Sequence, residues 1–374
     1  MGISLYIHIP FCYKRCPYCS FVSYERLLHL REDYIRILAK EIALSREQKT
    51  VKSIYIGGGT PSTLSIKQIE KILKQINKNF KLNKNIEISM EINPSKNIKK
   101  DYLKSLKGIG INRLSVGVQS LNDKILRFLG RIHSADDVRH VLNYIKEVGF
   151  NFNVDLLYAV PTQTLELWMD MLKEILSFYP HHVSVYSLSI EENTPFFKMK
   201  EEGKIREVTE KDTIGMYKQG VKMLKNTGYV HYEISNFSLP NFECIHNLTY
   251  WNGDEFMGFG VSASSFVNNC RTKNEADIYK YMEKIEHNEK PFIYVKKLSR
   301  ERETREAFIL SLRKIEGINI EKFNEKYKIY IREFFNKTLD KMIENRLLVE
   351  KNGFIRLSNI DAILISNEIF SEFL

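Results

Sequence analysis

The stretch Cys12-Tyr13-Lys14-Arg15-Cys16-Pro17-Tyr18-Cys19 places three cysteines within eight residues, directly after an interrupted apolar run at residues 5–11. Three thiolates on one short loop can bind three corners of a cubane cluster. An electron-transfer [4Fe-4S] site takes four cysteines, so a three-cysteine site leaves one iron open to an outside ligand. The spacing therefore predicts a [4Fe-4S] cluster held by Cys12, Cys16 and Cys19.

A zinc site built from the same cysteines and His8 is the alternative, because a CxxC pair is a common zinc signature. Zinc knuckles usually pair two short Cys or Cys/His motifs, and a second motif does not follow in the sequence. The C-x3-C-x2-C spacing therefore favours the cluster. Cys244 and Cys270 stand alone, and we expect both to be small apolar fillers.

The composition indicates a globular protein with a large core, at 374 residues and 43% hydrophobic. Five cysteines, an odd and sparse set, argue against a secreted disulfide framework and fit a cytoplasmic protein with reduced thiols. The N-terminus has neither a basic leader nor an apolar run that could span a bilayer, so we expect no transmembrane segment.

The net charge of +10 is concentrated at residues 67–107, where 11 lysines stand against four acidic residues. Their helical spacing favours a solvated helix face over peripheral contact with an anionic membrane or an acidic partner. Aromatic residues do not interleave with the lysines, so nucleic-acid binding is not expected.

Alternating strand and helix patterns predict an α/β fold. Strands are expected at residues 4–9, 53–56, 87–92, 113–118, 151–157 and 182–188, and helices at about 31–45, 65–79, 98–108, 134–148, 164–178 and 209–226. Ser65 and Ser134 are the expected N-caps of two of these helices. Such alternation gives parallel pairing and right-handed crossovers, as in a partial TIM-like (β/α)6 barrel.

The unusual residues fall where the predicted strands end. They are the cysteine loop, the glycine run at 57–62, Glu91 to Pro94, Gln119, Asp155, and residues 186–189. Active sites of (β/α) barrels are built at the carboxyl ends of the strands, so polar residues there indicate chemistry rather than core filling.

The last part of the chain predicts a winged-helix-like α+β module. Helical patterns at 303–314, 320–327 and 331–345 precede two apolar runs that flank Lys351-Asn352-Gly353, a hairpin signal. Residues 331–345 carry three basic and three acidic side chains, which favours packing against the barrel over DNA binding. We therefore expect a barrel at 1–235, a connecting region at 236–295 and a C-terminal domain at 296–374.

Four motifs carry a resemblance to a known family: residues 5–12, the GGGTPS run, Glu91-Ile92-Asn93-Pro94, and residues 113–120. Over nearly its whole length the chain resembles the oxygen-independent coproporphyrinogen III oxidase group of radical S-adenosylmethionine (SAM) proteins. The resemblance implies a radical SAM barrel in which the amino and carboxylate groups of S-adenosylmethionine bind the open iron. In the radical enzymes, an electron passing through the cluster then cleaves the C–S bond and forms a 5'-deoxyadenosyl radical.

Within that group, the sequence is similar to the HemW-type heme chaperones. Phe21 stands where the oxidases carry another cysteine, and the cysteine motif begins close to residue 1, where the oxidases have a leading tail. Residues 246–251 match the HNxxYW pattern of the chaperone branch. The resemblance implies a protein that binds heme and delivers it to apo-hemoproteins, and radical decarboxylation of coproporphyrinogen III propionates is the alternative.

The resemblance also implies contacts to S-adenosylmethionine from Tyr6, Tyr18, Gly58, Gly59, Thr60, Glu91, Gln119, Arg131, Asp155 and Ser187. The glycines let the backbone approach the methionine moiety, Glu91 accepts ribose hydroxyls, and Arg131 suits a carboxylate. Core packing of the two tyrosines, a tight turn at the glycines and a surface ion pair of Arg131 are the structural alternatives. His8 contacts the cofactor or is a hydrogen-bonded structural histidine.

The HNxxYW motif is the expected heme site. His246 would supply an axial imidazole, while Tyr250 and Trp251 would add ring surface, and Cys244 is a second candidate ligand. A packed turn between the barrel and the C-terminal module is the structural alternative. Exposure of the cysteine loop would also permit a homodimer to form through Tyr13 to Arg15.

Overall fold

Six parallel strands in chain order form the centre of the molecule. The computed structural model describes residues 2–45 and 47–374. The central strands are β1 (Ile3–Ile9), β2 (Val51–Gly58), β3 (Leu82–Ile92), β4 (Arg113–Gln119), β5 (Asn151–Tyr158) and β6 (His182–Ser187). The helices between them are α1 (Arg31–Leu44), α2 (Ile66–Asn79), α3 (Lys100–Gly108), α4 (Asp123–Phe128), α5 (Ala135–Val148) and α6 (Leu165–Ser177). The predicted barrel is confirmed.

Local hydrogen bonds set the starts of two of these helices. The Ser134 hydroxyl accepts from the Asp137 amide at 3.2 Å, and the Asp137 carboxylate accepts from the Ser134 amide at 2.9 Å. Ser65 and Gln68 form the same reciprocal pair at the start of α2. The two predicted N-caps are therefore confirmed as capping boxes.

The central sheet continues beyond the barrel at both edges. The next elements are α7 (Pro195–Glu201), α8 (Glu210–Asn226), β7 (Val230–Glu233), β8 (Asn236–Ser238), α9 (Ile245–Trp251), β9 (Phe256–Phe259), β10 (Ser264–Val267), β11 (Cys270–Asn274), α10 (Ile278–Glu286) and β12 (Phe292–Lys297). In the described part of the chain the strand order is β12-β11-β10-β9-β1-β2-β3-β4-β5-β6-β8-β7. Residues 236–295 thus do more than connect two domains, because they add strands to the sheet beside β1 and β6. The boundary at 235/236 stays a prediction.

The C-terminal module has the order of a winged helix. Its elements are α11 (Arg300–Leu312), β13 (Ile318–Asn319), α12 (Ile320–Tyr327), α13 (Ile331–Glu344), β14 (Leu348–Lys351), β15 (Phe354–Leu357), α14 (Ile360–Leu364) and α15 (Ser366–Ser371). The strands β13, β15 and β14 form a small antiparallel sheet, and the predicted hairpin is confirmed. Phe308 and Leu312 of α11 belong to the same buried apolar cluster as Ile7 of β1, so the module packs onto the barrel.

The lysine-rich stretch lies on the outer layer of the barrel. Lys71 pairs with Glu32, Lys74 with Glu70, Lys100 with Glu147 and Lys104 with Asp101, all through exposed side chains. These pairs are typical of a solvated helix face. None of the helices in the described ranges has both the length and the apolar character to cross a membrane.

Candidate cluster and cofactor site

The cysteine loop is fixed to the ends of β1 and β2 by backbone hydrogen bonds. The Cys12 amide donates to the Tyr24 carbonyl at 3.1 Å, and the Thr60 amide donates to the Phe11 carbonyl at 2.8 Å. Cys12 is buried, whereas Cys16 and Cys19 are half-buried, and all three are free thiols. The loop forms one wall of an open cavity of about 500 Å³ at the carboxyl ends of the strands.

The cysteine loop and β1 come so close to the end of β2 that side chains do not fit at Gly58 and Gly59. A Cβ at Gly59 would lie 2.8 Å from the Phe11 carbonyl oxygen and 3.1 Å from the Cys12 sulfur. Gly58 has a φ of +117°, and a Cβ there would lie 2.7 Å from the His8 ring. The expected tight turn is therefore present, and it seats the cysteine loop against β2.

Most residues of the predicted cofactor site line this cavity. Its walls include Cys12, Cys16, Cys19, Tyr18, Gly58, Gly59, Thr60, Glu91, Gln119, Arg131, Asp155 and Ser187. Tyr6 lies outside the cavity lining, inside the barrel, where its hydroxyl bonds His8 Nδ1 at 3.0 Å and its ring stacks on Tyr55. The structure thus brings together all the predicted S-adenosylmethionine contacts except Tyr6.

Two carboxylates face the cavity as hydrogen-bond acceptors. Glu91 accepts from the Tyr55 hydroxyl at 3.0 Å and from the Gly58 amide at 3.1 Å. Asp155 accepts from the Ser115 hydroxyl at 2.9 Å and from the Asn153 amide group at 2.7 Å. Burial, together with the nearby Asp155, raises the pKa of Glu91 to about 7, and burial also raises the pKa of Asp155.

The Arg131 guanidinium braces three segments of the cavity wall. One Nη donates to the Asn93 side-chain oxygen at 2.6 Å and to the Gly117 carbonyl at 2.8 Å, while the other contacts the Cys16 sulfur at 3.6 Å. Its partners are neutral groups and a thiol, so these contacts do not include the surface ion pair that was the structural alternative. The contact with Cys16 was not predicted.

Sequence reasoning missed two polar residues of the site, Tyr55 and Ser115, and named Asn93 only as part of a strand-end motif. Asn93 donates to the Thr60 hydroxyl at 2.8 Å, Tyr55 bonds Glu91, and Ser115 bonds Asp155. Period-two alternation along β2 and β4 places the Tyr55 and Ser115 side chains inward and could have identified them. Phe21, where the family resemblance implies a further cysteine in the oxidases, lies at the mouth of the cavity and is 67% exposed.

His8 is a structural histidine in this fold. Its Nε2 bonds the Val22 carbonyl at 2.9 Å and its Nδ1 bonds the Tyr6 hydroxyl, so both ring nitrogens are occupied. Within the described residues, no group of three or more His, Cys, Asp or Glu side chains is close enough to hold a single metal ion. Zinc ligation by His8 would require one of these two hydrogen bonds to break.

The HNxxYW motif lies at the opposite end of the barrel, on α9. His246 is buried, with Nδ1 bonded to the Ser53 hydroxyl at 3.0 Å and Nε2 bonded to the Tyr250 hydroxyl at 2.9 Å. Burial lowers the pKa of His246 to about 3. The Glu87 carboxylate caps the helix by accepting from the amides of Ile245 and His246. The structure therefore does not bring His246 to the cysteine cavity.

The remaining members of the predicted heme site divide between the surface and the core. Tyr250 and Trp251 line a cleft of about 250 Å³ where the C-terminal module meets the barrel. Cys244 is fully buried, its sulfur 3.6 Å from the Glu87 carboxylate, and burial raises its pKa to about 12. The motif is therefore packed, as the structural alternative expected, but it forms helix α9 rather than a turn.

The barrel, the cysteine loop and the cavity beside it define a radical SAM protein. Residues 6–175 match the radical SAM superfamily, and residues 298–359 match the HemN C-terminal domain. Coproporphyrinogen III oxidase (HemN) from Escherichia coli has the same fold, with a TM-score of 0.86 and 25% identity over 100% of this chain and 90% of that chain. Radical SAM proteins bind a [4Fe-4S] cluster and S-adenosylmethionine, and the residues at this cavity fit both groups.

Two full-length relatives identify the family. The chain is 35% identical to the heme chaperone HemW of Lactococcus lactis over 372 residues, covering 99% of this chain and 97% of that protein. It is 33% identical to the heme chaperone HemW of Bacillus subtilis over 376 residues, covering 99% of each. The chain belongs to the HemW family of heme chaperones.

Proposed function

We propose that this chain is a heme chaperone that binds heme and transfers it to apo-hemoproteins, with the cluster and S-adenosylmethionine controlling transfer or assembly. The observation that carries the proposal is the similarity to two heme chaperones over 99% of this chain. Phe21 at the mouth of the cavity supports it, because the oxidases carry a further cysteine at this position.

The residues at the cavity have separate roles in this proposal. Cys12, Cys16 and Cys19 hold the cluster, which when bound supplies the electron for cleaving the C–S bond of S-adenosylmethionine. Glu91 and Asp155 accept hydrogen bonds from the hydroxyls of the nucleoside, since both carboxylates face the cavity. Further contacts come from the glycine run and from the side chains of Tyr18, Thr60, Gln119 and Ser187.

Heme is proposed to rest against Tyr250 and Trp251 in the cleft beside the C-terminal module. Their rings, whose planes are tilted by 62° to each other, offer apolar surface to a porphyrin, and the buried Trp251 Nε1 has no hydrogen-bond partner among the described residues. Axial ligation by His246 requires its Nε2 to leave the Tyr250 hydroxyl. His246 is therefore a ligand only if α9 rearranges when heme binds.

Hemin uptake tests the proposal. Wild-type protein mixed with hemin should keep a Soret band after desalting, and absence of retained heme would count against a chaperone. The His246→Ala variant should retain less heme, whereas His287→Ala removes an exposed histidine outside the cleft and should behave as wild type. Circular dichroism checks that both variants are folded, and unchanged heme binding by folded His246→Ala would remove His246 as a ligand.

Coproporphyrinogen decarboxylation is the second candidate, because the fold matches the E. coli oxidase along the whole chain. An anaerobic assay of the reconstituted protein, scored for protoporphyrinogen, distinguishes the two functions. We expect no turnover, and robust product formation would replace the chaperone with the enzyme.

A cytoplasmic location and a homodimer complete the proposal. Five free cysteines fit a reducing compartment. Tyr13 is 43% exposed beside the exposed Lys14 and Arg15, so the cysteine loop offers a surface through which two copies could pair. Peripheral membrane contact through the lysine-rich face stays the less favoured alternative to a solvated helix face.

A further inference from the structure

The Arg131 side chain reaches the cysteine loop from a rigid turn. Gly130 precedes it with a φ of +72°, and a Cβ at Gly130 would lie 2.5 Å from the Pro17 side chain. The Arg131 amide donates to the Leu126 carbonyl at 2.9 Å, which closes the turn after α4. Because this turn packs directly on the loop, the guanidinium has a fixed position relative to Cys16.

The other contacts of Arg131 aim one Nη at the Cys16 sulfur. The second Nη is held between the Asn93 side-chain oxygen at 2.6 Å and the Gly117 carbonyl at 2.8 Å. Gly117 makes room for this arrangement, since a Cβ there would lie 2.8 Å from the Asn93 oxygen and 3.3 Å from Arg131 Nη2. The remaining Nη is 3.6 Å from the sulfur, within range of an N–H···S hydrogen bond.

The guanidinium carries a charge that its protein partners do not neutralise. Its described hydrogen-bond partners are an amide oxygen, a carbonyl and a thiol, and its Nε is buried with no partner among the described residues. A charge in this position is costly unless an opposite charge lies near it. Three thiolates around a cluster would supply this negative charge. The negative charge would be largest when the cluster is reduced.

We propose that Arg131 is a positioning residue for the cluster, and that its N–H···S bond to Cys16 raises the reduction potential. Reduction adds one negative charge to the cluster and its thiolates, so a fixed cation with a hydrogen bond to a ligand sulfur stabilises the reduced form more than the oxidised form. This role is separate from any contact between Arg131 and S-adenosylmethionine, and it does not depend on the cargo of the protein.

A potentiometric titration followed by paramagnetic resonance tests this role. The reconstituted protein is titrated without S-adenosylmethionine, so that loss of a cofactor contact cannot cause the shift. For Arg131→Met we expect the reduced-to-oxidised ratio at a fixed potential to fall at least tenfold, a shift of about 59 mV to more negative values for a one-electron couple. A variant with a full iron content and the wild-type midpoint would overturn the proposal.

Arg15→Met is the matched control. Arg15 is an exposed cation on the same loop that donates to the carbonyls of Cys19 and Phe21 and has no hydrogen bond to a sulfur among the described residues, so its loss should shift the midpoint much less than the loss of Arg131. An equal shift in both variants would show a general charge effect and contradict the role of the Cys16 bond.

If the Arg131→Met variant takes up no cluster, the Arg131→Lys variant provides the test. The shorter lysine side chain cannot reach Cys16 and Asn93 together. A more negative midpoint in Arg131→Lys supports the proposal, and an unchanged midpoint overturns it.

Discussion

Burial and ligand binding have opposite effects on the ionisation of the Glu91 carboxyl. Its carboxylate lies in the cavity wall with a pKa of about 7, whereas an exposed glutamate would be ionised well below that pH. The two hydrogen bonds from Tyr55 and Gly58 favour the ionised form but do not offset the desolvation. An incoming hydroxyl donor would favour the ionised form further.

We therefore expect S-adenosylmethionine to bind more weakly in acid. If only ionised Glu91 accepts the ribose hydroxyls, the raised pKa means that affinity falls as pH decreases through about 7, by roughly tenfold between about pH 8 and pH 6. Anaerobic titration calorimetry on the reconstituted protein measures this. Glu91→Gln should bind weakly at every pH and lose most of the dependence, and a wild-type affinity that is flat over this range would contradict the role of Glu91.

Among single residues of the site, those that belong to a recognisable motif could be predicted from the sequence. The glycine run and Glu91 were found because they follow strands in recognisable order, and the structure places them in the cavity. Tyr55 and Ser115 were missed because strand alternation shows that they point inward but not which side chain each will contact. The contact between Arg131 and Cys16 depends on a separation of 115 residues in the chain, which local patterns cannot supply.

Among the helices and strands, those that begin at a capping signal in the sequence were the most predictable. α2 and α5 begin at capping boxes, and α5 ends at Gly149 with a φ of 75°. In contrast, β11 (Cys270–Asn274) is largely polar and short, so its strand conformation comes from pairing with β10 and β12 rather than from a local pattern. This explains why residues 236–295 were expected to be a connection.

Loss of a capping box gives a prediction for α5. Ser134→Ala leaves the Asp137 amide without its acceptor, and we expect it to destabilise the protein by about 1 kcal/mol. Ser105→Ala is the control, since Ser105 is exposed within α3 and its hydroxyl donates to the Asp101 carbonyl of its own helix; we expect a change within about 0.5 kcal/mol. Urea unfolding measures both, and an equal or larger effect at Ser105 would contradict the capping argument.

Across the whole molecule, the cysteine cavity and the HNxxYW helix lie at opposite ends of one barrel. Tyr55 lies between them: its hydroxyl bonds Glu91 at 3.0 Å, and its ring stacks on His246 with centroids 5.1 Å apart. The family resemblance identified both motifs, but sequence order alone could not give their arrangement, because α9 follows β7 and β8, two strands that the sequence patterns did not predict.

Two measurements on anaerobically purified protein test the cysteine site directly. The first is metal analysis, and the second compares paramagnetic resonance spectra of the reduced sample before and after S-adenosylmethionine is added. We predict about four iron and four sulfide per chain, and a reduced-cluster signal that changes when S-adenosylmethionine binds the iron that lacks a cysteine. Zinc in place of iron, or an iron signal that does not respond to S-adenosylmethionine, would contradict a three-cysteine cluster with one open iron.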